Sequence, residues 1–157
     1  MLKNPIVKNI LSALAVAGFG FVLLIITFIF DSVFQSLVDG IIKLFTPADI
    51  NMAWYWFPPL KHALFIVIIG FISRIVFRSK IRTLFKAIYM IVPLAVVFAT
   101  LGMFLYRWPL AAYSLGGLFA IGISYYFYRI KQSWLYYYTV FLISLVMLLV
   151  GLLGVDI

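Results

Sequence analysis

The sequence predicts an all-α integral membrane protein: a bundle of five transmembrane helices with an amphipathic interfacial helix between the first and second. Three observations carry this reading. The 157 residues are 67 % hydrophobic and 10 % charged, against about 45–50 % apolar and 25 % charged in soluble domains. Long apolar runs recur at the length of a bilayer crossing, and the charges segregate between alternate connections. With 12 Lys and Arg, 4 Asp and no Glu, too few charged side chains exist to cover a water-soluble core. A soluble enzyme, a nucleic-acid reader and a disordered chain are set aside on these grounds.

A crossing of about 30 Å needs roughly 20 apolar helical residues, and Ile10–Phe30 supplies them without a charge. The run is too long for a signal peptide, and Asp31-Ser32-Val33 follows it instead of a small-residue cleavage site. It reads as an uncleaved signal anchor. Next, Val33, Phe34, Leu37, Val38, Ile41, Ile42 and Phe45 recur at helical spacing, opposite Gln35, Ser36, Asp39 and Lys43. This predicts a helix over about 33–45 lying flat in the interface. Thr46-Pro47-Ala48-Asp49 has the form of a helix start, with Thr as N-cap and Pro at the first position. A short helix over about 47–56 is expected, ending in Trp54-Tyr55-Trp56 at headgroup level.

Residues 59–77 form the awkward span, because only Ala63–Ser73 is uncharged. The crossing requires Lys61 and His62 at one end, or Arg74 at the other, to enter the acyl region. Three further runs, over about 87–106, 110–128 and 134–155, are free of charge and joined by Arg107-Trp108-Pro109 and by residues 129–133. Pro93 frees the carbonyl of Tyr89 and should bend the third span. No repeat or linker divides the chain, so residues 1–157 read as one membrane domain.

Charge placement sets the expected topology. With five crossings and a cytoplasmic N-terminus, Lys3, Lys8, Arg74, Arg78, Lys80, Arg82, Lys86, Arg129 and Lys131 fall inside. All four aspartates fall outside, with Lys43, Lys61 and Arg107. The C-terminus is then external, and the membrane is expected to be the plasma (inner) membrane.

Few residues carry chemistry. There is no Cys, and His62 is the one histidine, so thiol chemistry and a multi-histidine metal centre are excluded within one chain and no cofactor is expected. In the second span Lys61 and Arg74 either snorkel to opposite headgroups or belong, with His62, Ile66, Gly70 and Arg78, to a stripe lining a polar cavity. The cluster Arg78, Lys80, Arg82 and Lys86 suits topogenesis, anionic lipid headgroups or an acidic partner. Ala112, Gly116, Ala120 and Ser124 form a small-residue ridge for close helix packing, within the chain or against another subunit. The expected function is that of a non-enzymatic subunit or accessory protein of a membrane complex, homo-oligomeric or bound to a partner membrane protein, with lipid binding in addition. A pore or uncoupled carrier for anionic or amphipathic solutes is the alternative. An intramembrane hydrolase using Asp31 with Asp39 or Asp49 is the remote third.

Overall fold

The computed structural model describes residues 4–45 and 57–153, and every regular element among them is a helix. These are α1 (Pro5–Phe45), α2 (Phe57–Arg78), α3 (Thr83–Tyr89), α4 (Ile91–Phe104), α5 (Pro109–Arg129) and α6 (Trp134–Leu152). Counting Thr83–Phe104 as one segment, five are long and apolar enough to cross a membrane. The expected short helix over 47–56, with its Trp54 and Trp56, lies outside the described residues, as do Lys3, Asp49 and Asp156.

α4 is the hub, packing against α1, α2, α5 and α6. It has no charged residue, so each face can bury against a neighbour, and Ile91, Val92, Leu94, Ala95 and Val96 are all buried. The larger core joins Val16 and Leu24 of α1, Ala87 and Ile88 of α3, α4, and Val140 and Ile143 of α6. A smaller one sets Phe65 and Ile69 of α2 on Val92 and Val96. In lipid such contacts gain from close fit and not from expelling water. The small-residue ridge of α5 faces its own bundle at Gly116, where Phe98 stands 3.4 Å from the place of a β-carbon. Ala112, Ala120 and Ser124 are half-buried beside it.

Two expectations are corrected. The interfacial helix over 33–45 is not a separate element, because α1 continues through Asp31 for 41 residues, about 61 Å at 1.5 Å per residue. No Gly or Pro occurs between Gly20 and Gly40, and the polar residues bond along the helix: the Gln35 amide donates to Asp31 at 3.0 Å and the Ser36 hydroxyl to the Ser32 carbonyl at 2.9 Å. The chain therefore has no reason to turn flat at residue 31. The third span, in turn, begins at Thr83 and is interrupted at Met90. The interruption falls three residues before Pro93, which cannot donate to Tyr89 and crowds its carbonyl. The backbone stays close to helical there, with Met90 N–H on Lys86 O at 2.9 Å.

In the same region a single polar contact links two helices. Thr139 is fully buried, and its hydroxyl shares one proton between the carbonyls of Ala87 at 3.1 Å and Leu135 at 2.9 Å. Thr139→Val keeps the shape and loses that link between α6 and α3. We expect a cost near 0.6 kcal/mol, about the mean for such bonds in membranes, read by reversible unfolding in bicelles. A loss beyond about 2 kcal/mol would show the hydroxyl to be a main tie.

Candidate functional site

The register of α2 turns Lys61, His62, Phe65, Ile69 and Ser73 inward, all buried. At their upper end a polar cluster joins three helices. Lys61, 6 % exposed, donates from Nζ to both carboxylate oxygens of Asp39 on α1, at 2.7 and 2.9 Å. His62, 3 % exposed, sets Nε2 3.0 Å from Oγ1 of Thr100 on α4 and Nδ1 3.6 Å from Oδ2 of Asp31 on α1. Thr100 gives its own proton to the Val96 carbonyl at 2.5 Å, so its oxygen accepts from His62 Nε2–H. The other ring nitrogen, Nδ1, faces Asp31.

Asp31 is held from its own helix by Gln35, which donates to Oδ2. Its Oδ1 and His62 Nδ1 are buried without a hydrogen-bond partner. Phe30 and Phe34 pack on Phe65 with ring centroids 5.9 and 5.7 Å apart, and His62 stands 6.3 Å from Phe65. The cluster thus has an aromatic, weakly polarisable surround in which each charge–charge contact counts for more than in water.

Carboxylate, imidazole and hydroxyl stand here in the order of a nucleophilic triad. The Thr100 proton points to a helix carbonyl and not to the imidazole. Thr100 also lies inside α4, where backbone N–H groups are taken up by the helix and no oxyanion donors are offered. Asp31 and Asp39 stand two helical turns apart on α1, each against a different basic residue, so they do not form the carboxylate pair of an aspartyl hydrolase. Among the described residues no three of His, Cys, Asp and Glu converge as metal ligands.

The structure brings Lys61 and His62 together but leaves Gly70 and Arg74 apart from them. Arg74 is exposed, and Gly70 is exposed with open space at its β-position. Arg78, Lys80 and Arg82 are exposed on and just beyond the end of α2. Lys86 differs: it is half-buried, and its ammonium folds back onto the Phe77 carbonyl at 2.7 Å. There it caps the C-terminal end of α2, where a cation suits the helix dipole.

Sequence reasoning missed Thr100 altogether, and took Gln35 and Asp39 for residues of a solvated face. A signal was present: Asp31, Gln35 and Asp39 recur every four residues on one helix face, and the next apolar segment opens with Lys61-His62. Comparison of the chain with family models, with curated proteins and with solved structures gives no match.

Proposed function

We propose that this protein is a non-enzymatic integral membrane subunit or accessory component, working by helix contact with a partner membrane protein or a second copy. The observation that carries the reading is the outward face of the α1 extension. A helix of about 61 Å is twice the thickness of the hydrocarbon core, so α1 runs well past one crossing. Its extension turns Asp31, Gln35 and Asp39 toward α2, while Val33, Leu37, Ile41, Leu44 and Phe45 are 49–82 % exposed on other sides. Apolar side chains displayed beyond a crossing call for a protein or lipid cover. In this reading the Asp39–Lys61 and Asp31–His62 contacts brace the extension against α2 and keep it straight.

On this proposal the N-terminus lies in the cytoplasm and the C-terminus outside the plasma (inner) membrane, which gathers nine basic residues on one side of the five-span topology. The test is a photoreactive residue at Leu37 or Ile41 in native membranes. Discrete protein adducts are expected from both positions, and far fewer from Arg74. A chain that stays monomeric, with no adduct at either position, would defeat the proposal.

A further inference from the structure

Between α5 and α6 lies a groove of about 500 Å³, inside the range of roughly 300–1,000 Å³ typical of small-molecule sites. It opens because small or short side chains meet across the two helices: Ala120 and Ser124 on α5, Val140 and Ser144 on α6. Tyr128 and Tyr137 also line it, and both stand within about one helical turn of the connection at residues 130–133. The groove therefore runs from apolar depth to a phenolic end. The buried Ser144 hydroxyl has no partner, but a helix serine can turn to the carbonyl four residues back, so an alkyl chain against it strands no polar group.

Two basic residues follow Tyr128 closely in the chain. Arg129 ends α5 and Lys131 follows in the connection, both exposed, and Lys131 is held at φ 52° with its N–H on Tyr128 O at 3.2 Å. Between Asp49 and Asp156 the chain has no carboxylate side chain at all. Neither α5 nor α6 can supply a counter-charge, and the complement has to come from outside the helix pair. We infer that the groove holds an anionic phospholipid, one acyl chain lying between α5 and α6 and the phosphate meeting Arg129 and Lys131 beside the two phenols. A guest that presents a long apolar chain and an anionic head at one end matches both halves of the site.

The inference rests on the chain lying in a bilayer, and its test reads that separately. Membranes holding the full chain are first washed with alkaline carbonate; release of the protein would overturn the membrane reading itself. Protein that stays is purified and analysed by native mass spectrometry with phosphatidylglycerol and phosphatidylcholine of identical acyl chains. Wild type is expected to keep phosphatidylglycerol in preference. Arg129→Gln and Lys131→Gln, both at exposed positions that leave the fold alone, should each lower that retention about fivefold, the effect of one basic residue at an anionic surface. Ser124→Phe, which fills the groove, should lower retention of both lipids. Equal retention of the two lipids by wild type, or unchanged retention in the charge variants, would overturn the site. So would a dimer of the chain appearing in place of the lipid adduct.

Discussion

Asp39→Leu is expected to destabilise the folded chain by about 2–3 kcal/mol. Removing one member of a buried ion pair costs roughly 3–5 kcal/mol, because the remaining charge keeps its desolvation and loses that contact. Lys61 is 6 % exposed, whereas Asp39 keeps 28 % of its side chain accessible, which brings the expected figure down. For the same reason Lys61→Met should cost less than Asp39→Leu: the carboxylate left behind is the better solvated partner. The double variant should recover most of the loss, since an apolar pair of similar volume commonly replaces a buried ion pair at little cost. Unfolding measured by steric trapping in bicelles would give the four corners of the cycle. Strictly additive losses would show that the contact at 2.7 Å brings no coupling between α1 and α2. The brace on the α1 extension would then have to be sought elsewhere.

The helical segments were legible because crossing length and charge-free runs are properties of the chain itself. The expected 110–128 and 59–77 differ from Pro109–Arg129 and Phe57–Arg78 by one or two residues at each end, as Pro at the first helical position and Arg at the last would suggest. Pro93 predicts a bend in the third span, and the structure has an interruption at Met90, three residues before it. What failed was assignment of faces. A polar stripe at helical spacing satisfies water and a second polar stripe equally well, so the recurrence of Asp31, Gln35 and Asp39 did not by itself tell a face turned to Lys61 and His62 from one turned to solvent. The stripe drawn through His62, Ile66, Gly70 and Arg74 failed for geometric cause. Steps of four residues drift by about 40° each, so Arg74 sits about 120° around α2 from His62. The buried face follows mixed steps of three and four, through His62, Phe65, Ile69 and Ser73, and keeps within one side of the helix.

Gly20→Ala is expected to cost about 1–3 kcal/mol, the range for overpacking a filled interior, although Ala is the better helix former by up to about 1 kcal/mol. A β-carbon at Gly20 would stand 1.9 Å from Cδ1 and 3.3 Å from Cγ1 of Ile91. Ile91 is 1 % exposed, so its chain end has little room to retreat, and its branched β-carbon resists turning away. Either α1 and α4 move apart or Ile91 leaves its preferred rotamer. Ile91→Val removes the clashing Cδ1 and leaves the rest of the side chain, so Gly20→Ala/Ile91→Val should regain most of the stability lost in Gly20→Ala. Gly18→Ala serves as the reference, since a β-carbon there meets nothing within 4 Å, and it should be neutral or mildly stabilising. Unfolding of the three variants in one bicelle system separates the cases. Equal effects at positions 18 and 20, with no rescue by valine, would mean that α1 does not rest on Ile91. Close approach of the first helix to the hub at Gly20 would then have no part in holding the bundle.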